Sequence, residues 1–175
     1  MIDEFGTLGA VLAASLPRLL RAARGDLAGV REVLHFRRAM KVALRSRIVN
    51  APVETSWPAL FEYLSADMAC LRNERIRLLH MNGLGIIFCD EVAGEGTIDE
   101  SPFYIREIIR RALELGSKGI IIAHNHPSGS PEPSLADIDV TLRLARACHA
   151  VGITLYDHII IASEGHTSLR LEGRL

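Results

Sequence analysis

The sequence predicts an α/β protein, a mixed-sheet domain preceded by a small helical segment, and three observations lead there. Apolar residues recur at helical spacing through much of 5–71. From residue 75 onward, short runs with strand character alternate with helical ones. Asn82-Gly83 separates the first two of those runs, and Asn-Gly between apolar segments is a strong hairpin signal. With 175 residues, 49% of them hydrophobic and 23% charged, the chain is long enough to hide roughly 70% of its unfolded surface. Neither disulfides nor a structural metal is then needed for folding, and disordered or collagen-like structure is excluded.

Leu8, Val11, Leu12, Leu19 and Leu20 mark one amphipathic helix over 5–22, ended by Arg24-Gly25-Asp26. A second helix spans roughly Val30 to Ile48, with Pro52 as a boundary after it. Over 57–71, Leu60, Tyr63, Leu64, Met68 and Leu71 form the apolar stripe of a helix whose partner should be a sheet. Arg75 to Met81 and Ile86 to Cys89, continuing towards Val92, are the hairpin strands. Ser101-Pro102 supplies an N-cap and an N1 proline for a helix that carries Ile105, Ile108, Ile109, Ala112 and Leu113 and stops at Gly116. Gly119 to Ala123 is apolar throughout, as suits a strand buried on both faces. A loop over 127–133, a helix from Leu135 to Val151 and a strand from Thr154 to Ala162 complete the order.

Charge divides the chain in two. Residues 1–50 hold nine Lys/Arg against four Asp/Glu, a net +5, and the total of −1 leaves −6 for 51–175. The division suggests two modules, a helical segment, 1–50, and a mixed α/β domain, 51–175. A basic head attracts phosphate backbones, or else presents a solvated helical face. Cys70, Cys89 and Cys148 are odd in number and lack CxxC spacing, which predicts reduced core residues. The start, Met1-Ile2-Asp3-Glu4, lacks the basic region of a signal peptide, and no apolar stretch has membrane-spanning length, so a cytoplasmic location without membrane contact is expected.

The chemistry is concentrated between His124 and Asp137. Alternate residues of a strand share a face, so His124 and His126 project together while Asn125 points away. A proline-stiffened loop leads to Ser134-Leu135-Ala136-Asp137, whose first helical turn can bring a carboxylate back to the imidazoles. Two nitrogens, one carboxylate oxygen and a water make an open tetrahedral zinc site of the catalytic kind. Ser134 and Asp137 also fit a capping box with Asp in place of Glu, and a cap can at the same time hold a ligand in place.

His124-Asn125-His126-Pro127, seven residues over 127–133, Ser134, two residues and Asp137 fit the H-x-H-x7-S-x2-D signature of JAMM metalloproteases, the MPN-plus or JAB domains. In its His-Asn-His-Pro-Ser-Gly form the stretch resembles the bacterial RadC family. Asn73-Glu74-Arg75, Gly96-Thr97, Arg106-Glu107-Ile108, Arg111 to Leu115 and Asp157-His158-Ile159-Ile160 extend the resemblance over 52–175. It implies a JAB/MPN fold, cytidine-deaminase-like in layer order, and zinc-dependent hydrolysis of peptide or isopeptide bonds. Carried over residue by residue, it implies His124, His126 and Asp137 as zinc ligands, Ser134 as oxyanion donor and Glu74 as proton shuttle, with Glu91 as the competing glutamate. Residues 1–50 resemble a helix-hairpin-helix segment, which implies weak DNA binding, although Gly29-Val30-Arg31 stands where a Gly-x-Gly hairpin is expected. A nucleic-acid-associated module with a structural or vestigial metal site is the alternative function. A nucleobase deaminase is excluded, since that chemistry pairs His-x-Glu with Pro-Cys-x-x-Cys.

His158, after Asp157 on a strand, is open to two readings: a place beside the metal ligands, where it would orient one of them, or a plain core or surface role. His35, His80, His149 and His166 carry no spacing argument.

Overall fold

The computed structural model describes residues 2–96 and 104–175. Short helices α1 (Ile2–Phe5), α2 (Leu8–Ala13) and α3 (Leu16–Ala22) precede the long α4 (Leu27–Ser46). The body comprises α5 (Val53–Met68), β1 (Arg75–Met81), β2 (Ile87–Glu95), α6 (Ile105–Glu114), β3 (Gly119–Asn125), α7 (Leu135–Ala150), β4 (Thr154–Ala162) and β5 (Gly165–Ser168). The five strands lie in the order β2-β1-β3-β4-β5. β1 is antiparallel to β2 and β3, β4 is parallel to β3, and β5 returns antiparallel along β4.

Strand parity sorts the core into two layers. Leu79, Met81, Ile121, Ala123, Ile159 and Ile161 face α5, where they meet Leu60, Tyr63, Leu64 and Met68. Leu78, Ile120, Ile122 and Leu155 face α6 and α7, meeting Ile108, Ala112, Leu144 and Cys148. β3 is buried at every position, as its apolar run requires. Leu64 is wholly buried in the α5 layer, so Leu64→Ala is expected to lower the unfolding free energy by about 2–5 kcal/mol through lost transfer energy and a residual cavity. Denaturant titration checks this, and a loss under about 1 kcal/mol would place Leu64 outside the cooperative core.

Several sequence expectations need correction. The helix expected over 5–22 is three helices, because Gly6 takes φ +79° and Ala14 is extended ahead of Ser15-Leu16-Pro17, where proline favours a new first turn. α4 starts at Leu27, capped by Asp26 Oδ1 on the Gly29 N–H at 2.8 Å, so Gly29 lies inside a helix. α5 begins at Val53, four residues before the expected start, with Pro58 in its second turn, and ends at Met68. The hairpin connection is longer than Asn82-Gly83: the Asn82 side chain accepts from the N–H groups of Leu84 and Ile86, and positive φ falls on Gly85. Ser101-Pro102 and Thr97 lie outside the described residues. β5 was not anticipated. Of the cysteines, all free, Cys148 is buried, Cys89 half-buried and Cys70 exposed, so only Cys148 is a core residue.

The head has a small core of its own, Val11, Ala14, Leu19 and Val30, while Ile48 at its end is buried in the α5 layer. Part of its positive charge is used within the molecule. Lys41 pairs with Asp67 at 2.6 Å, Arg45 with Asp90 at 3.3 Å, and Arg47 with Glu62. Asp67 and Asp90 are also held by Arg77 of β1, and the Tyr63 hydroxyl donates to Asp90. The opposite charges of head and body are thus partly complementary across their junction. Among the described residues, no helix is long and apolar enough to cross a membrane.

Candidate metal centre

β3 ends at the site. His124 lies on the α7 side of the strand, in phase with Ile120 and Ile122, and His126 follows just past the strand end, its N–H bonded to the Ile161 carbonyl at 2.8 Å. The two rings meet edge-on with centroids 4.8 Å apart. The loop then closes on itself and on the β4–β5 turn: Gly129 N–H donates to the His126 carbonyl, and Glu164 N–H to that of Gly129. Gly129 takes φ +100°, a backbone conformation that favours glycine.

Ser134 caps α7 and forms the expected capping box with Asp137. Asp137 N–H donates to Ser134 Oγ at 3.1 Å, while the Ser134 N–H and hydroxyl donate to Asp137 Oδ2 at 2.8 and 2.6 Å. The cap fixes the carboxylate in direction. Asp137 Oδ1 lies 3.2 Å from His124 Nε2, and Oδ2 lies 3.5 Å from His126 Nε2. The two Nε2 atoms are 2.9 Å apart. One potential ligand atom from each of His124, His126 and Asp137 falls within 4.8 Å of the others, a set able to hold a metal ion.

Electrostatics mark the same point. Burial alone would raise the Asp137 pKa, but His124, His126 and Ser134 together hold it far below the usual carboxylate range. The Asp137 carboxylate in turn raises His126 above the ordinary imidazole value, against the effect of burial. His126 Nδ1 lies 3.1 Å from the Ser130 carbonyl, which can only accept, so Nδ1 carries a proton and Nε2 is the nitrogen turned to the cluster. Wholly buried His158 is held well below the usual range by desolvation, which keeps its ring neutral.

Glu74, half-buried, directly precedes β1 and lies close enough for its charge to help raise His126. The segment that carries it is held by Asn125. The Asn125 side chain accepts from Arg75 N–H at 2.9 Å and donates to the Asn73 carbonyl at 3.1 Å, clasping the backbone on either side of Glu74. Sequence reasoning passed over Asn125 because it points away from the histidines. The same parity that separates it from them turns it towards residues 73–75. Glu91, the competing glutamate, lies elsewhere: Arg111 holds it through two 2.8 Å bonds, and the buried His80 lies 3.3 Å away.

A three-layer α/β fold that converges two histidines and an aspartate at the end of a central strand defines a JAB-type domain. The model of the RadC-like JAB domain matches residues 54–174, and the chain belongs to that family. It is 39% identical over all 175 residues to a UPF0758 protein of Rhodobacter capsulatus, covering 82% of that relative's length. A UPF0758 protein of Ruegeria pomeroyi is 37% identical over the same 175 residues, with 78% of its length covered.

Proposed function

We propose that this chain is a zinc-dependent hydrolase of amide bonds, peptide or isopeptide, with zinc held by His124, His126 and Asp137. The observation that carries this reading is the convergence of two imidazole nitrogens and one carboxylate at a single point. Two imidazole nitrogens and a carboxylate oxygen this close together can share one cation, and nitrogen and carboxylate donors suit zinc. Bound there, zinc supplies a Lewis acid that lowers the pKa of a water towards ~7 and polarises a carbonyl.

The remaining work falls to the chain's own residues. Glu74 takes a proton from the attacking water and delivers it to the departing amine, so that one carboxylate serves as base and then as acid. Its charge acts on His126, and Asn125 clasps the backbone on either side of it, which supports this role. Ser134, which caps α7, turns its one hydroxyl proton from Asp137 Oδ2 to the oxyanion that develops on the substrate carbonyl. The positive end of the helix favours the same charge.

The test is amide cleavage by the full chain, stripped with chelator and then reconstituted with zinc, against a library of peptides and lysine-linked isopeptides. Amine release that requires zinc is expected. A chain that takes up no zinc, or a zinc-loaded chain that cleaves no member of either class, would overturn the reading.

Arg18, Arg21, Arg24, Arg31 and Arg38 remain exposed on the head, and this favours a second, additional property. These residues are expected to give weak, sequence-independent DNA binding that falls steeply with salt, as phosphate contacts do. Fluorescence anisotropy of the full chain across a salt series checks it. Tight binding that survives high salt, or binding unchanged in an Arg31→Gln/Arg38→Gln double variant, would contradict it.

A further inference from the structure

Behind His124 runs a buried chain of hydrogen bonds whose direction is set by chemistry. His124 Nδ1 lies 2.7 Å from His158 Nε2, and His158 Nδ1 lies 2.5 Å from the Thr141 hydroxyl. That hydroxyl in turn lies 2.5 Å from the main-chain carbonyl of Asp137, one turn earlier in α7. Thr141 and His158 are wholly buried and His124 nearly so. Neither Thr141 nor His158 is a ligand candidate, and Thr141 has no place in the JAMM signature pattern read above.

A carbonyl only accepts, so the single hydroxyl proton of Thr141 must point at Asp137. The Thr141 oxygen is then left to accept, and the proton between it and His158 must sit on His158 Nδ1. In this wholly buried ring, whose nitrogens meet a hydroxyl and a second imidazole, the one proton already sits on Nδ1, so Nε2 accepts and His124 Nδ1 donates to it. The proton of His124 is thereby placed on the nitrogen that faces away from the cluster. Its Nε2 is the nitrogen that faces Asp137 and His126, 3.2 and 2.9 Å away.

We propose that Thr141, acting through His158, is a positioning residue that locks His124 in its Nδ1–H tautomer and so presents Nε2 as a metal ligand. The inference rests on the metal-site reading above for its purpose but not for its geometry. The same hydroxyl also bonds to the backbone of Asp137, so one side chain ties a ligand on β3 to a ligand on α7. The outer hydrogen bond of His126, to the Ser130 carbonyl, sets that ring in the same sense. At this buried position of α7 a valine would match threonine in shape, which leaves the hydroxyl as the difference that matters.

The place of His158 in this chain depends on a register shift. Ile120 pairs with Leu155, but Ile121 pairs with Asp157, so β4 carries one extra residue at Tyr156. That residue returns His158 to the face of Ile122 and His124. Gly119 permits the arrangement, since a Cβ there would come within 2.5 Å of the Tyr156 ring.

Long-range proton–nitrogen NMR of the chelator-treated full chain, labelled at its seven histidines, reads each tautomer without any metal. In the wild type, His124 and His158 are both expected as Nδ1–H. In Thr141→Val, His158 loses the acceptor for its Nδ1–H, and an Nε2–H form of His124 is expected to appear. Zinc affinity, measured by competition with a chromophoric chelator, should fall about 10–100-fold in this variant. Thr141→Ser should restore both the tautomer and the affinity. An Nε2–H signal for His124 in the wild type overturns the proposal with no variant needed, and so does a Thr141→Val chain that keeps the single Nδ1–H form. A wild type that shows the expected tautomers yet binds no zinc supports the relay and overturns the metal reading instead.

Discussion

Replacing any one of His124, His126 and Asp137 by alanine is expected to abolish stoichiometric zinc binding, against about one zinc per chain in the wild type. Among the described residues these three form the group that could hold a metal ion, and two of three are too few to keep zinc in competition with a chelator. Each substitution also touches the fold in a different way. Asp137→Ala removes one half of the capping box, a loss of about 0.5–2 kcal/mol. Asp137→Asn preserves an acceptor for the Ser134 N–H while removing the charge, and it separates the cap from the ligand. His126→Ala is the mildest structurally, because the ring is partly exposed and its outer bond runs to a loop carbonyl. His124→Ala opens a cavity beside His158 and costs stability as well. Metal analysis by mass spectrometry, paired with thermal unfolding, distinguishes lost ligation from lost fold. A folded His126→Ala chain that retains one tightly held zinc would remove that residue from the ligand set.

Glu74→Gln is expected to keep zinc and to lose about 10² to 10⁴ in the rate of amide cleavage. Glutamine is nearly the same size and holds the segment equally well, but it cannot take a proton from water. The effect should fall on kcat, because a proton shuttle acts on the reaction more than on substrate binding. Glu91→Gln is the control. Its carboxylate is engaged by Arg111 and His80 on another part of the β1–β2 hairpin, so its loss should leave cleavage and zinc unchanged and cost on the order of 1 kcal/mol in stability. Turnover lost in Glu91→Gln with zinc retained, and kept in Glu74→Gln, would reverse the assignment.

Much of this was legible in residue order alone. The apolar stretch Gly119 to Ala123 suits a buried strand, and strand alternation sent His124 and His126 to one side and Asn125 to the other. Ser134 and Asp137 announced a capped helix start, and the capping box is present. These features are local: they depend on dihedral preferences, on a period of two or 3.6, and on hydrogen bonds spanning three residues. Where local signals conflicted, sequence reasoning slipped. Leucines at helical spacing masked the break before Pro17, and the Asn82-Gly83 pair overshadowed the side-chain bonds that Asn82 makes across a longer turn.

What belonged to the sequence by itself was therefore the α/β class, the strand that delivers the histidines, and the three groups that could share an ion. What only the tertiary structure decided was which distant groups support them. Asn125 clasps Glu74 across about fifty positions of chain, Thr141 reaches His124 through His158, and the cations of α4 answer carboxylates of α5 and β2. A one-residue shift in β4 determines the face on which His158 lies. Pairings of this kind follow from sheet register and helix docking, which are set by the packing of the whole core and leave no periodic trace in the order of residues.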